Sequence, residues 1–200
     1  MKLYRARFST NVERVAFTLA LKGLSAESVW ITYDDRSVVE QVSGQGLVPV
    51  LDYDGEILVE SMDIVRWLDE RHPEPPLYTS DEVQPFIDWF NGVWKGPPNQ
   101  IEKELGKEAP DQALIASLER QMIEYLDRFD SMLAATGRYL FGDTLTAADI
   151  CAFPFLKYAA LHDPEDTELF HLILRDRQRD GRHRPHLARW IDSVNRLPRA

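Results

Sequence analysis

The stretch VPVLDYDGEILVES, Val48 to Ser61, decides how the first part of this 200-residue chain is built. Its apolar, β-branched character asks for strands, and Asp54-Gly55 supplies the turn chemistry that folds VPVLDY back onto EILVE. Pro49 stands at the entrance of the first strand. A residue without an N–H is confined there to edges, first positions and bulges. The hairpin ends on an acidic residue and a serine, Glu60-Ser61, where the apolar period changes.

Upstream, Lys2 to Ala6 reads as a short strand. It is followed by FSTN and a helix in which Val12, Val15, Ala16, Leu19 and Ala20 form one stripe, with Asn11 the expected cap and Gly23 the stop. SVWITY, Ser28 to Tyr33, is a second strand, and DDRSVVEQV a short helix. Downstream of Ser61 the pattern turns helical again. Met62, Ile64, Val65 and Leu68 point inward beside Trp67, and RHPEPP stops the run. The order β-α-β-α-β-β-α makes a parallel unit with a crossover helix, followed by an antiparallel hairpin on the same sheet.

HPEPPLYTS breaks the composition and reads as a linker. Beyond it no strand is expected. Helices are expected over Asp81 to about Lys95, Asp111 to Ala135, Thr146 to Leu161 and Pro185 to Leu197, with breaks or bends at prolines 97, 98, 110, 154, 164 and 185. The expected division is residues 1–76, a linker over 77–84, and an all-helical domain over 85–200.

A net charge of −10, from 33 acidic against 23 basic residues, argues against a nucleic-acid binder. It also means that an anionic substrate would need cations close by. The Arg-rich stretch RDRQRDGRHRP, Arg175 to Pro185, is interrupted by Asp176 and Asp180 and carries no aromatics for base stacking, so a solvated loop is expected. One cysteine, Cys151, fits a reducing compartment and a small buried apolar role. MKLYRARF lacks the apolar core of a secretory signal, and no window approaches a membrane span, so a cytoplasmic location without a membrane is expected. The five histidines, His183 and His186 among them, offer no metal-ligand spacing, and no metal is expected.

These pieces together resemble the soluble, cytosolic glutathione S-transferases, whose N-terminal domain is thioredoxin-like and whose C-terminal domain is all helical. GQGLVPVL is similar to the family's Gly-x-Val-Pro-x-Leu segment, and ESMDIVRWL to its Glu/Gln-Ser entry to the third helix. GDTLTAADICAFP is similar to its Gly-x-x-x-Ser/Thr-x-Ala-Asp signature, and RPHLARWIDSVNRLP to its terminal helix. Thr146 and Asp149 also form a capping box, a folding role.

The resemblance implies a cis bond before Pro49, which costs little at an X-Pro bond. It would leave the N–H and C=O of Val48 to pair with the cysteinyl part of glutathione, like an added strand. Glu60 and Ser61 would take the ammonium and carboxylate of the γ-glutamyl group, the latter at a helix N-terminus. FSTNVERV is similar to serine-type, bacterial-like members, in which a hydroxyl stabilises the glutathione thiolate. Ser9 is then the catalytic candidate, with Thr10 and Asn11 as competitors. Leu47 stands where a polar residue is common, which leaves Arg36 as the nearest cation for the glycine end. Phe8, Phe90, Trp94 and Tyr158 are the expected lining for a small hydrophobic electrophile in a cleft between the domains, and a homodimer is expected. The implied activity is conjugation. A glutathione-dependent disulfide reductase and a non-catalytic binding protein of the same fold are the alternatives.

Overall fold

A computed structural model describes residues 1–32 and 34–200, without the side chain of Asp180. The chain separates into one unit of Met1–Tyr78 with Leu197–Ala200 and a second of Thr79–Arg196.

The first unit runs β1 (Lys2–Ala6), α1 (Thr10–Leu21), β2 (Glu27–Ile31), α2 (Ser37–Ser43), β3 (Val50–Tyr53), β4 (Glu56–Leu58) and α3 (Ser61–Arg71). The sheet order is β2-β1-β3-β4. β1 and β2 are parallel, and β3 runs antiparallel to both β1 and β4. Alternation along a strand sends neighbours to opposite faces. Leu3 and Leu51 pack with Val12, Val15, Ala16 and Leu19 of α1 and Ile64 and Leu68 of α3. On the other face, Tyr4 and Val50 meet Val39 of α2. The expected element order is the observed one. Tyr33, expected to end the second strand, lies outside the described residues.

α1 starts earlier than its apolar stripe suggests. Ser9, not Asn11, is the cap, and its Oγ accepts from the Val12 N–H at 3.3 Å. Phe8, at φ 65°, turns the chain out of β1 and brings Ser9 to the cap position two residues before Asn11.

The linker is tied down by a buried lysine. Lys22 Nζ pairs with Asp69 at 2.5 Å and donates to the Pro75 carbonyl at 2.6 Å, while Asp69 also accepts from the Leu77 N–H. At the other end of the chain, the Ala200 N–H donates to the Ala16 carbonyl. Arg199 pairs with Glu13 and stacks over Phe17.

The second unit is helical: α4 (Val83–Trp89) running into a π-helical turn (Phe90–Trp94), α5 (Gly96–Leu105), α6 (Gln112–Thr136), α7 (Ala147–Leu156), α8 (Leu169–Gln178) and α9 (Pro185–Asn195). Two helices escaped the sequence reading. Pro97 and Pro98, taken as a break, open α5, because prolines in a first turn forfeit no intrahelical bond. α8 was not expected at all. Arg175 to His183, expected as a solvated loop, is instead the last turn of α8 followed by a 3₁₀ turn. Its arginines make ion pairs, Arg175 with Asp176 and Arg177 with Glu119.

The Thr146–Asp149 capping box is present at the start of α7. Asp149 is fully buried and accepts from the Leu140 and Thr146 N–H groups, the Thr146 hydroxyl and the Trp190 indole, all within 2.9–3.0 Å. Burial pushes its carboxyl up, against these four hydrogen bonds, which favour the charged form. Cys151 is buried in the same helix. No helix among the described residues is long and apolar enough to cross a membrane.

Candidate active site

The Val48–Pro49 bond is cis. Val48 precedes β3, and no hydrogen bond from the described residues engages its N–H or C=O. Its side chain packs against both cores of the first unit, while its polar backbone groups remain open to a ligand's backbone.

Glu60-Ser61 opens α3. Glu60 is exposed and sits at φ 62°, a conformation costing a non-glycine residue about 1–3 kcal/mol. Its side chain makes no capping bond, so the N–H groups of the first turn keep their partial positive charge. Ser61 is buried at the first helical position. Its Oγ accepts from Arg14 Nη1 at 3.2 Å, and the same nitrogen donates to Asn11 Oδ1 at 3.2 Å.

Arg14 is the residue the sequence reading missed. It is only 1% exposed, in the interior beside α3, and links α1 to the γ-glutamyl end of the expected site. Its signal was faint. Arg14 and Thr18 are buried off the apolar stripe, so α1 is enclosed on more sides than its periodicity shows.

Ser9, Thr10 and Asn11 separate clearly by environment. Thr10 is 5% exposed, at the first position of α1. Asn11 has its carbonyl oxygen on Arg14. Ser9 is half-buried, and its Oγ is fixed as acceptor of the Val12 N–H. A hydroxyl carries one donor besides its lone pairs, so its hydrogen stays available to an anion at the helix end. Ser9 also lines a small cavity in the first unit.

Arg36 is half-buried and donates from Nη1 to the Gly46 carbonyl at 3.0 Å, on the loop leading to Val48. The expected hydrophobic lining is largely a correction. Phe90 and Trp94 stack on each other at 4.4 Å and pack against Phe155 inside the helical unit. Phe90 also meets Phe86 and Phe129. Tyr158 is buried and donates to Asp166 at 2.6 Å, beside His171. Phe86, Phe90 and Trp94 recur every four residues, the spacing of a core stripe, so their rings fill the interior of the unit. Phe8 alone of the four is half-exposed, with the Arg7 guanidinium over its ring. Among the described residues no group of three or more His, Cys, Asp or Glu could hold a metal ion.

Comparison with known proteins converges on one family. The model of the glutathione S-transferase N-terminal domain matches residues 3–76, and that of the C-terminal domain residues 112–193. The chain is 36% identical over 210 residues to glutathione S-transferase Z1 of Arabidopsis thaliana, covering 99% of this chain and 88% of the relative. It is 29% identical over 176 residues to maleylpyruvate isomerase of Ralstonia sp, covering 80% and 82%. Among solved structures, the beta-etherase LigF of Sphingobium sp. strain SYK-6 superposes with a TM-score of 0.76 at 19% identity, covering 99% of this chain and 96% of that one. That likeness speaks to the fold alone. With the match at 36% identity spanning nearly the whole chain, the protein belongs to the glutathione S-transferase family.

Proposed function

We propose that the protein is a glutathione-dependent enzyme in which Ser9 holds the glutathione sulfur as a thiolate for attack on an electrophilic carbon. The observation that carries this is the state of the Ser9 hydroxyl: fixed as an acceptor by the Val12 N–H, half-buried, and with its hydrogen free to donate. Hydrogen bonding to the charged form lowers a thiol pKa, and the end of α1 adds to the effect. Thr10 and Asn11 are less suited, one buried and the other engaged by Arg14.

The remaining groups fit the parts of the tripeptide. The unengaged Val48 N–H and C=O suit the cysteinyl backbone. Ser61 and the first turn of α3, with the Arg14 charge behind them, suit the γ-glutamyl carboxylate. Glu60 suits the ammonium. Arg36, which donates to the Gly46 carbonyl on the loop leading to Val48, suits the glycine carboxylate.

Conjugation and double-bond isomerisation share the first step proposed here. Thiolate addition to a conjugated double bond leaves a single bond that can rotate, and elimination restores the thiolate. Relatives named maleylpyruvate isomerase and maleylacetoacetate isomerase favour giving that second outcome equal standing. A disulfide reductase is the weaker reading, because Ser9 stands where such an enzyme would gain from its own sulfur and Cys151 is buried in the helical unit. We also propose that the protein works as a cytoplasmic homodimer, as is typical of its family.

Calorimetric titration of glutathione onto the protein, paired with glutathione-dependent turnover of a simple alkylating electrophile, tests the reading. Saturable binding with turnover above the uncatalysed rate is expected. Binding without turnover would move the protein to the non-catalytic reading, and no binding would remove both.

A further inference from the structure

The loop from α2 to β3 is held by side chains rather than by its own backbone. From Gln45 to Val48 no backbone–backbone hydrogen bond forms among the described residues. Ser43 Oγ donates to the Gln45 carbonyl at 3.0 Å, and Arg36 Nη1 donates to the Gly46 carbonyl at 3.0 Å. The half-buried Gln45 amide then engages both backbone groups of Leu47. Its Oε1 accepts from the Leu47 N–H at 2.5 Å, and its Nε2 donates to the Leu47 carbonyl at 2.9 Å. Only one orientation of the amide satisfies both, with oxygen toward the N–H and nitrogen toward the carbonyl. Gln45 thus does for Leu47 what a neighbouring strand would do. Val48, the next residue, has neither backbone group engaged by the described residues.

The Leu47 carbonyl and the Val48 N–H belong to one rigid, planar peptide unit. This bond is trans, unlike the one that follows it, so the two groups point in opposite directions. A donor fixed on the Leu47 oxygen therefore fixes where the Val48 N–H points. The Val48 carbonyl lies in the next peptide unit and is not set by Gln45. The loop also packs closely on α2, because a Cβ on Gly46 would lie 3.0 Å from Glu40 Oε1 and 3.4 Å from Arg36 Cδ.

We infer that Gln45 is a positioning residue for the thiol substrate, aiming the Val48 N–H at the cysteinyl carbonyl before the ligand arrives. Ordering the loop in advance removes that cost from binding. The inference rests on the reading that Val48 pairs with the cysteinyl backbone. It adds a side chain that acts through the Leu47–Val48 peptide rather than by contact with the ligand.

Glutathione and γ-glutamylethylamide, the second measured by competition against the first, isolate the contact. γ-Glutamylethylamide keeps the γ-glutamyl group and an amide N–H but has no cysteinyl carbonyl. Gln45→Met keeps the length of the side chain and loses both of its hydrogen-bonding groups. It should weaken glutathione about three- to tenfold, the range of one hydrogen bond, and leave γ-glutamylethylamide within about twofold of wild type. Gln45→Asn separates the two halves of the amide. Its oxygen can still accept from the Leu47 N–H, as in an Asx-turn, while its nitrogen falls short of the Leu47 carbonyl. It should therefore weaken glutathione about as much as Gln45→Met does. The bound thiol should titrate as in wild type in both variants, since Ser9 is untouched.

Equal weakening of both ligands in Gln45→Met overturns the positioning role, and so does unchanged glutathione affinity in that variant. Full glutathione affinity in Gln45→Asn overturns the part given to the amide nitrogen. A wild type that binds the two ligands equally overturns the pairing at Val48 itself, the reading on which the inference rests.

Discussion

Replacing Arg14 by methionine should weaken glutathione binding while leaving the fold nearly as stable. The side chain keeps its reach but loses the nitrogen that donates to Asn11 Oδ1 and Ser61 Oγ, each at 3.2 Å. At 1% exposure the guanidinium is little screened by solvent. A unit charge about 5 Å from a bound carboxylate, at an effective dielectric of about 20, attracts it by about 3 kcal/mol. Relief of the guanidinium's own desolvation returns part of this in the free protein. A net loss of about 1.5–3 kcal/mol remains, or about ten- to hundredfold in Kd.

Stability should respond differently. The desolvation cost leaves with the charge, and this offsets much of the about 1–3 kcal/mol that unpairing the Ser61 and Asn11 oxygens costs. Calorimetry of glutathione binding, with a thermal melt of each variant, separates the two effects. Arg14→Lys, which keeps the charge without the fork, should fall between wild type and Arg14→Met. A folded Arg14→Met that binds glutathione within about twofold of wild type would refute the reasoning, since a tenfold change is the least a charge-assisted contact predicts.

Ser61→Ala should weaken glutathione by about 1.5–3 kcal/mol through the lost carboxylate contact, whereas Glu60→Gln, on an exposed side chain, should cost no more than about 1 kcal/mol; calorimetry on both variants reads the difference, and dissociation constants unchanged in both would place the γ-glutamyl group elsewhere. Asp149→Asn should lower the melting temperature, because an amide nitrogen would replace one oxygen amid four donors and strand at least one of them at a cost of about 1–3 kcal/mol. An unchanged melting temperature would mean that the neighbours of Asp149 can re-pair without it.

The sheet and its site loop were legible because local chemistry dictates them. Two apolar runs around Asp54-Gly55 form a hairpin in almost any context, while the cis bond found before Pro49 was implied by the resemblance of the motif around it, not by the residues themselves. The change of period at Ser61 marked the first residue of α3. What stayed hidden depends on residues far apart. Arg14 touches Ser61, 47 positions away, and nothing in the α1 stripe reports that contact. The cap at Ser9 follows from the left-handed turn at Phe8, which no residue type announces. Phe90 and Trp94 were misread as a substrate surface because an aromatic-rich helix looks alike whether its rings face a ligand or one another. α5 was lost to Pro97 and Pro98, residues that end a helix in its middle and begin one at its first turn.

The central claim, that Ser9 stabilises the glutathione thiolate, is tested most directly by titrating the ultraviolet absorbance of that thiolate in the complex, in wild type and in Ser9→Ala. Loss of the cap on α1 should cost about 1 kcal/mol of stability in Ser9→Ala, which a melt records separately. The account predicts a bound thiol more acidic than free glutathione in the wild type and a rise toward the free value in Ser9→Ala, each pKa unit corresponding to about 1.4 kcal/mol of lost thiolate stabilisation. Glutathione affinity should hold roughly steady, and the rate deficit should shrink as pH rises and the thiol ionises unaided. An unmoved titration in Ser9→Ala, with the shift appearing instead in Thr10→Ala or Asn11→Ala, would contradict the account.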